Sequence, residues 1–187
     1  GPVVYPIIIG IFILSGSPNQ LESQPREPDL APYIPTPQEV VDRMLELAEV
    51  TTTDVVYDLG SGDGRIPITA AKRYGARGVG IDFDPQRIAE SNANARLEGV
   101  TDRVEFILGD ALQADVSEAT VVTLYLLSSS NIKLRPILTR QLSAGTRIVS
   151  HAFDMGDWLA DRIEIFKDYR GNPRTLYLWQ FDGQPRN

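Results

Sequence analysis

Val55-Val56-Tyr57-Asp58-Leu59-Gly60-Ser61-Gly62-Asp63-Gly64-Arg65 is a short apolar run that closes on an acid and breaks into three alternating glycines. A bounded run of apolar and β-branched residues reads as a buried strand. Glycines directly after it permit the positive φ angles and close backbone approach of a tight strand-to-helix turn. Working outward, Asp54 to Leu59 is one strand, and a helix follows from about Ile66 to Tyr74. Gly78 to Phe83 is a second strand, Pro85 to Glu98 a helix, and Val104 to Leu108 a third strand. Ala119 to Leu127 and Thr146 to His151 are further β-rich runs, separated by a helical stretch around Ile132 to Leu142. Ahead of these, from Pro37, the spacing of Val40, Val41, Met44, Leu45, Leu47 and Ala48 predicts a helix leading into the domain. Strands alternating with helices imply an α/β fold, a mostly parallel sheet with helices on both faces.

Composition bounds what this fold does. A chain of 187 residues suits one domain, which buries roughly 70% of the surface of its unfolded chain. With no cysteine and one histidine, His151, disulfides, thiolate metal sites and cysteine nucleophiles are excluded, and a histidine-rich metal site is not expected. The net charge of −7 repels phosphate backbones, so nucleic acid is not an expected partner. Residues 1–17 form an apolar segment whose core, Val3 to Leu14, is shorter than the roughly 20 residues a spanning helix needs. Signal-peptide core, end of a membrane anchor and packing strand stay open for it. Residues 18–37, with Pro18, Pro25, Pro28, Pro32, Pro35 and Pro37, read as an extended tether. Residues 38–187 are the expected catalytic domain.

The chemistry is carried by the strand ends. A helix beginning just after the glycine turn directs its N-terminal dipole and free N–H groups at whatever binds there, which favours a carboxylate. S-adenosyl-L-methionine (SAM) has one on its methionine end, and Asp58 would answer the ammonium of the same group. A phosphate-binding loop has no use for an acid at that position. Asp82, at the end of the next strand, stands where open parallel sheets bind ribose hydroxyls, and Asp84 competes for the role. Asp110, after the third strand, is positioned to accept from an adenine amino group. Asp82 and Asp110 taken singly read equally well as loop or capping aspartates; the order of the three acids, with Asp58, along successive strands favours a cofactor. Arg162 to Lys167 and Thr175 to Phe181, joined through Gly171-Asn172-Pro173, predict a terminal antiparallel hairpin. Together these features give a Rossmann-like class I methyltransferase, with a mostly parallel seven-stranded sheet. The Gly60, Gly62, Gly64 alternation departs from the spacing of nicotinamide-binding turns.

Three segments, Pro32-Tyr33-Ile34-Pro35-Thr36-Pro37, Asp58 to Arg65 and Gly145-Thr146-Arg147-Ile148-Val149-Ser150-His151, resemble a family of protein-lysine methyltransferases. It includes a broad-specificity archaeal enzyme and the mitochondrial enzymes acting on the ATP synthase c-subunit and the adenine nucleotide translocase. The likeness runs from about Pro32 to Trp158. It implies a protein acceptor with an accessible lysine, and cofactor contacts from Tyr33, Pro35 and Thr36 beside Asp58, Gly60, Ser61, Gly62, Asp82 and Asp110. Mitochondrial members also carry a hydrophobic stretch before the domain, so the resemblance leaves two alternatives open, membrane association through residues 1–17 and an untethered cytoplasmic enzyme. The catalytic domain is expected to face the cytoplasm, and an exported form stays open.

Lysine methylation asks little of side chains. Deprotonating an amine of pKa about 10.4 at neutral pH costs about 4.6 kcal/mol. A dry pocket beside a sulfonium reduces that cost without a dedicated base. The acceptor pocket is expected after the fourth strand, where Tyr125 would steer the amine by ring face or hydroxyl; an ordinary core aromatic is the alternative. His151, with Asp154, is a candidate for moving a proton, and Trp158 for a pocket wall or core position. The fourth strand lacks the Asp-Pro-Pro-Tyr sequence of enzymes that methylate nucleobase amines. A small-molecule methyltransferase and a non-catalytic SAM-binding module remain the alternatives.

Overall fold

The computed structural model describes residues 33–187; residues 1–17 and the tether as far as Pro32, with the anchor that one alternative puts there, lie outside the described residues. Among the described residues no helix is long and apolar enough to cross a membrane. In chain order the elements are α1 (Gln38–Leu47), β1 (Val55–Leu59), α2 (Arg65–Tyr74), β2 (Arg77–Asp82), α3 (Pro85–Glu98) and β3 (Val104–Leu108). A short 3-10 turn (Ala111–Gln113), β4 (Val121–Leu124), α4 (Ser128–Gln141), β5 (Arg147–His151), β6 (Arg162–Lys167) and β7 (Pro173–Gln180) complete the chain. Seven strands form one sheet in the order β3-β2-β1-β4-β5-β7-β6, with β7 antiparallel to both its neighbours and the other pairs parallel.

Alternate residues of the strands feed two cores. Val56, Val121, Val149, Leu176 and Leu178 pack under α1 and the start of α2, whereas Tyr57, Leu59, Val122, Leu124, Ile148 and Trp179 pack under α4. The strand order reverses between β1 and β4, and their carboxyl ends open the crevice where ligands of such sheets bind. On β2 the alternation is written in glycine. A Cβ at Gly78 would lie 2.8 Å from the backbone of Pro67 in α2, and one at Gly80 would lie 2.6 Å from the hydroxyl of Ser61. These two bare positions let α2 and the glycine turn settle directly on the sheet.

Three differences from the sequence reading have local causes. The fourth strand ends at Leu124 rather than Leu127, because Tyr125 and Leu126 leave the sheet to line the crevice. The fourth helix starts at Ser128 and runs through Pro136, so its polar first turn reads as loop in the sequence. β7 begins at Pro173, which pairs with Lys167 at the first position of the strand, a place sheets tolerate proline.

Gly78→Ala is expected to destabilise the protein by about 1–3 kcal/mol through overpacking. A drop in the urea midpoint at constant slope measures it; an unchanged midpoint would mean that α2 does not need the bare strand.

Candidate active site

The crevice over β1 and β4 is an open cleft of about 900 Å³. Its floor is the turn from Gly60 to Gly64, whose three glycines all have positive φ, at 80, 55 and 84°. They do different work. A Cβ at Gly62 would sit 2.5 Å from the ring of Tyr33, whereas one at Gly64 would collide with Phe106 of β3 at 2.7 Å. The turn is held from three sides. Gly60 and Ser61 N–H both donate to the Ile81 carbonyl, Gly62 N–H donates to Asp82 Oδ2 at 2.9 Å, and Ser91 of α3 donates to the Gly62 carbonyl at 2.8 Å. Asp84 N–H takes the other oxygen of Asp82, also at 2.9 Å.

Asp58 lies at the centre of the sheet, 4% exposed, opposite Thr123, whose hydroxyl donates to Oδ1 at 2.8 Å. Burial, with the charges of Asp82 and Asp63 adding to it, pushes its carboxyl up to about 7 despite that hydrogen bond. Among the described residues no cationic side chain helps hold its charge. Asp63 is the opposite case. Burial opposes its charge, but hydrogen bonds and the guanidinium of Arg65 keep the carboxyl below the usual carboxylate range. Arg65 grips both oxygens of Asp63, at 3.0 and 2.6 Å, and donates to the Thr36 carbonyl at 3.0 Å.

The segment from Tyr33 to Pro37 roofs the cleft. The Tyr33 ring lies 4.0 Å from the guanidinium carbon of Arg87. Thr36 is buried and its Oγ1 is 3.2 Å from His151 Nδ1. His151, 1% exposed at the end of β5, stacks on Tyr125 with centroids 4.1 Å apart and planes at 18°. Burial, then the nearby charge of Arg174, pushes its imidazole down to about 4, so the ring is neutral at physiological pH.

Of the residues singled out in the sequence, Tyr33, Pro35, Thr36, Asp58, Gly60, Ser61, Gly62, Asp82 and Tyr125 line the cleft. Asp110 and His151 stand behind its wall. One carboxylate oxygen of Asp110 caps the short 3-10 turn through Leu112 N–H, and its neighbours Gly109 and Ala111 line the cleft. The Ser61 hydroxyl is buried against Gly80 without a hydrogen-bond partner. Trp158 packs on the core beside Trp179 and Phe181, under the guanidinium of Arg186. Sequence reasoning missed Phe83, Arg65 and Arg87, which also line the cleft. Phe83, half exposed and next to the strand-end acid, offers a ring face to the cleft, but its exposure is visible only in the fold.

The ANTKMT methyltransferase domain matches residues 58–162, more than half of the chain. Over 150 residues the chain is 47% identical to a protein-lysine N-methyltransferase of Saccharolobus islandicus, covering 79% of this chain and 92% of that protein. Over 132 residues it is 30% identical to the ATP synthase c-subunit lysine N-methyltransferase of Xenopus laevis. That match covers 71% of this chain and 58% of the relative's length. Among solved structures, one described as an RNA methyltransferase of Salinibacter ruber in complex with S-adenosyl-L-homocysteine is 58% identical, with a TM-score of 0.77. It covers 82% of this chain and 97% of that one.

The elevated carboxyl of Asp58 has a stability consequence with a definite sign. Its folded value, about 7, exceeds its unfolded value, 3.8, so the ionised form is disfavoured in the fold and stability is lost as pH rises through this window. Asp58→Asn should therefore stabilise the ligand-free protein at about pH 8 and do so progressively less toward about pH 4. Unfolding midpoints of both proteins across that range check it; a difference independent of pH would contradict the buried carboxyl.

Proposed function

The chain belongs to the ANTKMT methyltransferase domain family, and we propose that it transfers a methyl group from SAM to a lysine side chain of a protein. The observation that carries this reading is the buried carboxyl of Asp58 at the switch point, lacking a cationic partner among the described residues, beside a turn with glycine at every second position. SAM fits both: it brings an ammonium to the acid and needs close approach to the turn. Bound there, it would supply an electrophilic methyl on a sulfonium, with a neutral thioether as the leaving group.

The protein's own part is binding, orientation and exclusion of water. Asp58 ionises against the ammonium. Asp82 already accepts two backbone N–H groups, but a carboxylate has about four acceptor positions, so it can still take a ribose hydroxyl, with Asp84 beside it. Gly109 and Ala111 border the base region, with Phe83 as a stacking face, and Asp110 holds that bend. Tyr33, Pro35 and Thr36 close the roof. At the other end of the cleft Tyr125 offers its ring to the acceptor amine, and the amine, once it has given its proton to solvent, attacks in line. Correct positioning supplies much of the rate.

RNA is the competing acceptor, raised by the description of the Salinibacter relative. Charge favours the lysine. The chain carries −7 overall, and of the charged side chains lining the cleft Asp63 pairs with Arg65 and Asp84 with Arg87, which Glu90 also engages, so that Asp58 and Asp82 are left without an ion-pair partner among the described residues. Such a cleft attracts an ammonium and repels phosphates. We place the catalytic domain in the cytoplasm, where SAM and protein acceptors meet, with residues 1–17 as its membrane tether; the apolar composition of that segment supports the second part.

Two measurements test the reading. Incubation with methyl-labelled SAM and separate pools of cellular protein and RNA should put the label in methylated lysine; label recovered only in RNA would overturn it. SAM affinity by calorimetry should fall by up to about tenfold per pH unit below about 7, because the binding form of Asp58 is the ionised one. Asp58→Asn should flatten this dependence and weaken binding by about 30-fold or more. A pH-independent wild-type affinity would remove Asp58 from the site.

A further inference from the structure

The end of β5 joins two parts of the cleft that no single element of the fold connects. His151 touches the roof through Thr36 and the acceptor side through the face of Tyr125, and 115 residues separate it from Thr36 in sequence. The roof has few other anchors to the body: the Thr36 carbonyl is held by Arg65, and the Tyr33 ring lies between Gly62 and Arg87. Tyr125 is the first residue beyond β4 and has left the ladder, so its ring plane is set by what it packs on: His151 on one side, and Phe153 tilted 6.0 Å away. The loop carrying Phe153 is itself constrained. Ala152 sits at φ 70°, a strained value for a residue with a Cβ. That geometry is held by Ser150 Oγ donating to the Phe153 carbonyl at 2.6 Å and by Asn131 Nδ2 donating to the Asp154 carbonyl at 3.0 Å.

We propose that His151 is a positioning residue that couples cofactor closure to acceptor alignment: its bond to Thr36 holds the roof down, and its stack fixes the ring of Tyr125 at the acceptor end. This rests on the methyltransfer reading of the cleft, and it gives the imidazole no proton to carry. A neutral, buried ring suits the task, since it can meet a hydroxyl at one nitrogen and an aromatic face without bringing charge beside the sulfonium.

The test separates the two contacts. Thr36→Val removes the hydroxyl and leaves the ring. His151→Phe keeps an aromatic on Tyr125 and loses the nitrogen. Each should weaken SAM binding about three- to tenfold, the value of one neutral hydrogen bond, and the double variant should be no worse than either alone. Thr36→Ser should recover most of the affinity. His151→Ala, which loses the stack as well, should add a fall in kcat toward a protein acceptor beyond that of His151→Phe, at similar SAM affinity. As the single histidine of the chain, His151 gives one imidazole signal in nitrogen-15 NMR. Without cofactor that signal should stay neutral down to about pH 5 and change its tautomer balance in Thr36→Val.

Unchanged SAM affinity in both Thr36→Val and His151→Phe would overturn the proposal. So would a loss of 100-fold or more in kcat for His151→Phe with SAM affinity intact, the mark of a proton shuttle. Because the affinity and NMR arms need no acceptor, they decide the roof contact even if the acceptor is not a lysine. Melting midpoints within a few degrees of wild type confirm that the variants fold; if Thr36→Val does not, His151→Phe carries the affinity test alone.

Discussion

One carboxylate fixes the geometry on which the cleft depends. Asp82 accepts from the N–H of Gly62 with one oxygen and from the N–H of Asp84 with the other, so it ties the glycine turn after the first strand to the loop after the second. A turn with three residues at positive φ has many alternatives in an unfolded chain, and a buried acceptor that satisfies its amides selects one of them. The bare strand beneath, Gly78 and Gly80, lets the turn lie flat enough for that bond to form. Substitution anywhere in this set would move the backbone that a ligand must approach.

Next to it the fold places a group that costs energy until it is used. A carboxyl buried beside one hydroxyl is poorly solvated when ionised, and the charges of Asp82 and Asp63 make matters worse for Asp58. A cation delivered by the ligand relieves both penalties at once, which is a route from local strain to affinity and selectivity. The arginines do not compensate Asp58; they are committed to holding the roof and the helix that flanks it. The cleft is thus acidic around Asp58 and Asp82 and aromatic at its Tyr125 end.

Much of this was legible from residue order. The alternation of strands and helices and the terminal hairpin follow from hydrophobic periodicity and from the position of the glycine turn, and the acids at strand ends follow from where each strand stops. Boundaries failed where function intervened: Tyr125 and Leu126 have strand-like composition but serve the cleft, and the serine-rich start of α4 has loop-like composition but is helical. Phe83 and Arg87 went unremarked because an aromatic after a strand and a cation in a helix are common, and only their shared exposure to one cleft distinguishes them.

The sequence by itself determined the class of fold, the order of its elements and the set of acids available at the strand tips, because these depend on spacing along the chain. Tertiary structure alone decided how those groups differ: Asp82 turned toward two amides, Asp110 engaged in capping, the Ser61 hydroxyl pressed against Gly80, and Asp58 buried with no cationic partner among the described residues. It also brought Thr36, Tyr125 and His151 together. Contacts between residues more than a hundred positions apart are set by how the sheet orders its strands and which faces its helices cover, and no local pattern encodes that packing.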